Sequence, residues 1–401
     1  MSENPKSVVV IGGGITGLAV ARKLLLKYGN RISLRILEKE NLPGKHQSSR
    51  NSGVLHAGLA YQPGSKKALL AVSGIQQMVQ FCEENDLPHE QCGKLVVARN
   101  EDEIAGLGAL LKKGRANGLS GLRQLDREEM VALEPHVGGV AGLLVPGEGI
   151  ADFAAVCEKL SEKIVQKGGQ IVTGFKLSGV VEKNNQLLLK AKSGDEMVAD
   201  YAINCAGLYA DKVCEFFGMN PGLRIIPFRG DYYRLKRESQ YLVKNLIYPV
   251  PDPGYPFLGV HLHRLIRGGV AAGPNAVLAF SREGYRMRDV NFRELLESVS
   301  YRGLQKFLLR HRKMVISELR SSASATVFLN RLRKLVPELS AGDLERGKSG
   351  VRAQGIDRKG NLIGDFFIKK GKNSLHLLNA PSPGATASLS IADWVVDQIE
   401  F

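Results

Sequence analysis

The run Val8-Val9-Val10-Ile11, followed at once by Gly12-x-Gly14-x-x-Gly17, constrains this chain more than any other stretch. Consecutive apolar, mostly β-branched residues suit a strand buried on both faces of a parallel sheet. Residues 15–27, ITGLAVARKLLLK, then set apolar side chains at helical spacing, and Gly29 supplies a stop. A second strand pattern, ISLRILEKE, runs from Ile32 to about Glu40. Strand, glycine turn, helix and strand make a complete βαβ unit at the start of the sequence.

Each glycine in the turn has a separate physical task. Gly12 permits the tight turn, Gly14 lets backbone approach a pyrophosphate, and Gly17 allows close packing of the helix. The helix N-terminus adds amide donors and positive dipole. Glu38 ends the second strand, 21 residues after Gly17, where its carboxylate can accept from ribose hydroxyls. Thr16 within the turn and Lys39 beside Glu38 complete this set of dinucleotide contacts. The fingerprint fits the ADP half of FAD and of NAD equally. No second such turn follows a strand and no redox pair of cysteines occurs, which argues against a two-nucleotide disulfide reductase.

The rest of the chain alternates between the two periodicities. Helical patterns are predicted at about 65–85, 101–117 and 152–168, with strands at 93–98, 170–182, 186–192 and 198–204. Prolines and glycines punctuate apolar stretches over 245–285, as in strands joined by turns. Helical spacing returns over 291–336, and a final strand, SLHLLNA, precedes a helix, ATASLSIADWVVDQIE. The chain thus begins and ends in the same kind of α/β layer. The fold class expected from these patterns is α/β, with a Rossmann-like dinucleotide-binding unit.

With 44% hydrophobic residues in 401, the chain can bury a large core and is neither disordered nor fibrous. Its 55 Lys+Arg against 40 Asp+Glu give +15, which favours anionic partners. Five cysteines, at 82, 92, 157, 205 and 214, form no C-x-x-C pair and suit buried thiols in a reducing compartment. The opening MSENPKS carries no apolar or Arg-rich targeting pattern. No run approaches the ~18 apolar residues of a membrane-spanning helix, so any membrane contact is expected to be peripheral. No metal-ligand spacing is read.

Longer motifs carry a family resemblance. GGGITGLAVA at 12–21 continues into SSRNSGVLHAGLAY at 48–61, a pair that resembles the D-amino-acid oxidase-like FAD superfamily. PFRGDYYRL at 227–235, YPFLGVHLHRLIRGGVAAGPNAVLAFSREGY at 255–285 and LLNAPSPGATASLSIAD at 377–393 resemble the L-2-hydroxyglutarate dehydrogenase/oxidase family over essentially the whole chain. The resemblance implies an enzyme with FAD as cofactor and an α/β fold, a Rossmann-like FAD-binding domain with an inserted mixed α+β substrate domain, the first discontinuous (1–85, 146–220 and 340–401) and the second taking 86–145 and 221–339. It implies oxidation of L-2-hydroxyglutarate to 2-oxoglutarate, with electrons passed to a quinone or oxygen.

The same resemblance assigns expected roles. Ser48, Ser49, Arg50 and Asn51 stand where the family wraps flavin and pyrophosphate, the alternative being a surface loop. Ala206 and Gly207, after the strand YAINC, match a second flavin-side motif, with Cys205 a small core residue rather than a redox thiol. Pro383, Gly384, Ala385 and Thr386 begin the last helix, whose amides can stabilise negative charge on reduced flavin. Among the eight histidines His56 lies in the flavin-side motif and is the first choice for the base. A structural histidine, or a covalent attachment point for flavin, stays open for it. Arg229, His261 and Arg352 match positions expected to face a dicarboxylate, which calls for cationic anchors. Tyr232, Tyr233 and Asn275 are candidate substrate-binding residues. Strand alternation allows only one of Tyr232 and Tyr233 to point inward, and separates Leu262 from His261 and His263.

Tyr301–Arg320 holds six Lys/Arg against one Glu, with Leu304, Phe307, Leu308 and Val315 at roughly helical spacing. Two readings stand: a helix on an anionic membrane surface, or a solvated basic face. The expectation is a cytoplasmic protein, peripheral on the inner face of the cell membrane, with no nucleic-acid partner. The competing readings are a superfamily oxidoreductase of an amino acid or glycerol phosphate, and a flavin-containing RNA-binding or RNA-modifying protein. No zinc-finger or RRM signature supports the last.

Overall fold

The computed structural model describes residues 4–252, 254 and 259–401. Residues 253 and 255–258, the latter part of a motif used above, lie outside the described residues.

The βαβ unit forms as the sequence predicts: β1 (Lys6–Ile11), α1 (Ile15–Tyr28) and β2 (Ile32–Leu37). β1 lies at the centre of a six-stranded sheet, parallel on one side to β2 and on the other to Tyr201–Asn204. Gln170–Val172 and Ser374–Asn379 extend it in parallel, and Phe367–Lys370 closes one edge antiparallel. All six residues of Ser374–Asn379 are buried, as a strand covered on both faces requires. α1 packs with Phe153–Gln166 and Ser388–Val396 over one face, around Leu18, Leu24, Leu160 and Val395. The other face is covered by an antiparallel sheet of Leu177–Lys183, Gln186–Ala191 and Glu196–Ala199, whose Leu187 and Leu189 meet Val9, Ile11 and Leu37.

Two strands read as continuous are each split between these sheets. The chain turns at Gly174, φ +74°, so 170–172 and 177–183 belong to different layers. Asp200 likewise separates Glu196–Ala199 from Tyr201–Asn204, and its carboxylate accepts from Ser7 N–H at 2.8 Å.

A second, eight-stranded sheet runs in the order Leu344–Arg346, Tyr233–Leu235, Val270–Gly273, His261–Arg264, Leu246–Pro249, Lys94–Ala98, Ala141–Val145 and Arg123–Leu125. Its core face packs Val97, Ile247 and Leu262 against Phe328, Leu332 and Leu339. Leu223–Gly230 and Gly350–Asp357 pair antiparallel, setting Arg352 opposite Phe228. The helical stretch 291–336 is four short helices: Phe292–Val299, Arg302–Arg310, Arg312–Ala323 and Ala325–Leu332. Among the described residues no helix is long and apolar enough to cross a membrane.

Candidate active site

A cavity of about 1130 Å³ runs from the turn after β1 to the wall of the eight-stranded sheet. At its first end the glycines act as the sequence predicts. Gly12 has φ +107°, and a Cβ there would stand 2.6 Å from the Cys205 carbonyl oxygen. A Cβ on Gly17 would stand 2.0 Å from Gly12 O, so the helix could not approach the turn. Gly14 is the N-cap of α1 and offers no side chain to the open amides. Ser48 Oγ accepts from Ile15 N–H at 2.8 Å, joining the 48–51 loop to the helix start.

Glu38 is buried, its two oxygens accepting from Gly13 N–H at 2.7 Å and Glu40 N–H at 2.8 Å. It still lines the cavity, as do Thr16, Lys39, Arg50, Asn51, Ala206 and Gly207. Lys39 sits among Glu40, Glu283 and His46. Hydrogen bonds from Lys39 and His46 hold the Glu40 carboxyl down at about 2. Arg50 lies 4.1 Å over the Tyr285 ring. Burial pushes the Cys205 thiol up to about 12, which suits a packing residue and not a redox thiolate. A turn closed to a Cβ at Gly12 and Gly17, a helix start capped by a glycine and a buried acid at the next strand end fit the ADP half of FAD.

Several expectations need correction here. Ser49 does not line the cavity; its hydroxyl donates to Gly44 O and closes the loop. The last helix begins at Ser388, not at 383–386. Pro383–Thr386 form a preceding turn in which Ala387 N–H donates to Pro383 O at 2.9 Å. That turn lines the cavity, and Thr386 Oγ1 accepts from His56 N–H at 3.3 Å.

At the other end His56, Tyr232, Tyr248, His261 and Arg352 line the wall. Tyr232 is the inward member of its pair. Tyr233 tilts against Phe328 with ring centroids 4.7 Å apart, in the core. His261 faces the cavity while Leu262 is fully buried in the opposite core. Arg229 and Asn275 are absent from the cavity lining. Arg229 is buried and gives its guanidinium to Asp231, and Asn275 Oδ1 accepts from Asp231 N–H at 2.7 Å. Of the two arginines expected to face the substrate, Arg352 thus borders the cavity and Arg229 does not, the Arg352 Nη1 donating to Asn275 O at 3.0 Å.

His261 stacks on Tyr248 with centroids 3.9 Å apart, and burial holds its imidazole well below the ordinary histidine range. It is therefore neutral near pH 7. Its Nδ1 lies 2.9 Å from Gly259 O, which can only accept, so Nδ1 carries the proton and Nε2 is an acceptor. His263 lies behind it, pushed down to about 3 by burial. Tyr248 OH is buried and, among the described residues, has no hydrogen-bond partner.

Three lining residues had not been singled out from the sequence: Lys94, Glu148 and Tyr248. Lys94 begins the fully buried strand Lys94–Ala98, and a lysine in such an apolar run was the available signal. Its Nζ lies 2.7 Å from Glu148 Oε2. His56 Nδ1 stands 3.4 Å from the same oxygen, and Ala57 N–H donates to Oε1 at 3.2 Å. Burial raises the Glu148 carboxyl, but Lys94 and His56 outweigh it and hold it at about 2.

A nucleotide-binding βαβ turn opening into a cavity that ends at histidines and an arginine is the site of a dinucleotide-dependent oxidoreductase. The chain belongs to the FAD dependent oxidoreductase family, whose model matches residues 7–398, and FAD is its cofactor. It is similar to the L-2-hydroxyglutarate dehydrogenase of Indibacter alkaliphilus, 47% identical over 97% of this chain and 98% of that protein. It is also similar to the L-2-hydroxyglutarate dehydrogenase of Escherichia coli (strain K12), 40% identical over 98% and 92%. In fold it matches the L-alpha-glycerophosphate oxidase of Mycoplasma pneumoniae with FAD bound, at TM-score 0.78 and 21% identity over 98% and 94% of the two chains.

Proposed function

We propose that this enzyme oxidises L-2-hydroxyglutarate to 2-oxoglutarate. The observation that carries the reading is the wall where His56, His261, Tyr232 and Arg352 meet in one cavity with the FAD cradle. The names of the relatives at 40–47% identity agree with it. When bound, FAD supplies the two-electron acceptor for the C2 hydrogen. The protein's own groups do the rest. Arg352 pairs with a substrate carboxylate. His56 takes the hydroxyl proton at Nε2, because Nδ1 faces Glu148. His261 offers a second neutral acceptor at Nε2, and Tyr232 a phenol donor. The glycine turn, Glu38 and the 48–51 loop hold the nucleotide, and the 383–386 turn the flavin.

The 1–85, 146–220 and 340–401 segments form the FAD-binding domain in this reading, and 86–145 and 221–339 the substrate domain. Electrons leave to a quinone or to oxygen. We further infer a cytoplasmic enzyme resting peripherally on an anionic membrane, not through the expected stripe of 301–320, whose Leu304 and Phe307 are buried in the core, but through other residues of a face spanning 286–320. Phe292, Leu296 and Val299 occupy one stripe of a single helix and are exposed, Phe292 at 82%. Leu309, Ile316 and Leu319 are exposed on the next two helices, among exposed Arg302, Lys306, Arg310, Arg312, Lys313 and Arg320. The acids turn inward: Glu294 to Tyr209 and Arg282, Glu297 to Lys212, Glu318 to Arg331. An outward face that is apolar and basic fits a lipid surface better than water alone.

The test is anaerobic mixing of the FAD-loaded protein with L-2-hydroxyglutarate, its D enantiomer, glycine and glycerol 3-phosphate, following the flavin absorbance band. Bleaching by the L-hydroxy acid alone is expected. Bleaching by glycine or glycerol 3-phosphate instead would discard the substrate and keep the cofactor.

A further inference from the structure

Glu148 has no place among the expected site residues, yet it is the buried group to which the site's first-choice base is tied. It is 1% exposed, carries its charge at neutral pH, and spreads its carboxylate over three partners. Oε1 accepts from Ala57 N–H, the backbone next to His56, while Oε2 meets Lys94 Nζ and His56 Nδ1. Lys94 is itself buried. Although no hydrogen bond joins it to the ring, a carboxylate 3.4 Å away favours the proton on the imidazole nitrogen that faces it. The lone pair is thereby left on Nε2, the ring atom available to a substrate in the cavity. Lys94 cancels the field of the carboxylate, so the ring is oriented by an acceptor without sitting beside an unopposed negative charge.

We propose that Glu148, clamped by Lys94, is a positioning residue that fixes the tautomer and orientation of His56 for proton removal from the substrate hydroxyl. The inference rests on His56 being the base. The step balances simply: the hydroxyl O–H bond breaks, an N–H bond forms at Nε2, Glu148 stays a carboxylate and Lys94 stays an ammonium. Other titratable groups on the same wall are Tyr248, set edge-on at 6.3 Å, Tyr61, His261, His263 and the charged Arg352. Both histidines are neutral near pH 7, so the Glu148–Lys94 pair is the charge beside the Nδ1 side of the ring and Arg352 the cation elsewhere on the wall.

The experiment uses FAD-loaded enzyme with anaerobic reduction by L-2-hydroxyglutarate, pH profiles of kcat/KM, and the downfield imidazole N–H resonance in proton NMR. Glu148→Gln is expected to lower kcat about 100-fold or more, the scale lost when a base is held in the wrong tautomer, with KM within about threefold. The downfield resonance disappears in Glu148→Gln and in His56→Asn alike. The acid limb of the profile shifts to lower pH in Glu148→Gln, where Lys94 acts unopposed, and to higher pH in Lys94→Met. Since either single change leaves a buried charge alone, Glu148→Gln/Lys94→Met removes both. The double variant keeps the low kcat and returns the acid limb toward its original position. Normal kcat and resonance in a fully FAD-loaded Glu148→Gln, with His56→Asn at least 100-fold slower, would overturn the positioning role alone. Normal kcat in His56→Asn would remove the base assignment itself.

Discussion

Asp231 accepts from both arms of the Arg229 guanidinium, at 2.8 Å from Nε and 3.2 Å from Nη2. Side chains two apart on extended backbone share a face, so this pair closes on itself and not on a ligand. Ser322, Ser349 and Asn275 complete the shell of Asp231, and burial, which raises its carboxyl, is outweighed by Arg229 and the two serines. Arg229 is only 2% exposed. Arg229→Met is therefore expected to cost about 1–3 kcal/mol of stability, because the Asp231 carboxylate left behind is partly solvated and keeps its other donors. Urea denaturation checks it, and the KM of the protein that still folds stays within about threefold.

Arg352 is expected to behave in the opposite way. It borders the cavity, and in the proposed reaction it meets a substrate carboxylate. Arg352→Met raises KM for L-2-hydroxyglutarate about 10–100-fold, the loss of a bidentate charge-assisted contact, with a smaller effect on stability. Steady-state kinetics on FAD-loaded protein separates this outcome from that of Arg229→Met. Equal KM changes in both variants would contradict the division of labour.

The contrast shows what sequence could deliver. The βαβ unit was legible because strand period, glycine turn, helix period and Glu38 are all local signals within the first 40 residues. The inward member of Tyr232/Tyr233 was not, because alternation fixes that one points inward and says nothing of which. Arg229 resembled a ligand for the family match, although Asp231 two residues on was the signal for a closed pair. Lys94 and Glu148 escaped because their meeting depends on strands and turns far apart in sequence. The 170–182 segment read as one strand because the periodicity continues past Gly174, while its positive φ sends the chain to another layer.

Gly17→Ala tests the cradle. Its Cβ would meet Gly12 O at 2.0 Å, backbone against backbone, so α1 must shift away from the turn that approaches the dinucleotide. Overpacking of this kind costs about 1–3 kcal/mol. The protein is expected to purify with little FAD. The ratio of flavin to protein absorbance measures it directly, and a normal yellow, fully loaded variant would refute the close-approach argument.

Acid stability follows from the buried histidines. His263 is held down at about 3 and His376 at about 4, chiefly by burial, against 6.5 for the ordinary ring. Between these values the unfolded chain binds protons that the folded one does not, so stability rises with pH there. It is fully present above about 6.5 and is lost as pH falls toward 3, with a slope of up to about 1.4 kcal/mol per pH unit for each histidine. Urea midpoints at pH 7, 6, 5 and 4 trace the loss. His263→Phe flattens the slope, whereas a pH-independent midpoint across this window would contradict neutral burial.

The outward apolar stripe of Phe292–Val299 gives the last expectation. An amphipathic helix in a folded protein normally turns such a stripe to the core, yet here Phe292 and Leu296 are 82% and 66% exposed. If that face lies on lipid, replacing both by Asp removes buried apolar area and adds like charge against anionic headgroups. Phe292→Asp/Leu296→Asp is expected to lower co-sedimentation with phosphatidylglycerol-containing vesicles at least tenfold. Reduction of the enzyme by substrate in solution should be unchanged, because the stripe lies outside the cavity lining. Binding of the unaltered protein should also weaken as salt rises, since exposed arginines and lysines supply the attraction. Equal sedimentation of variant and parent would leave these helices as a solvated basic face.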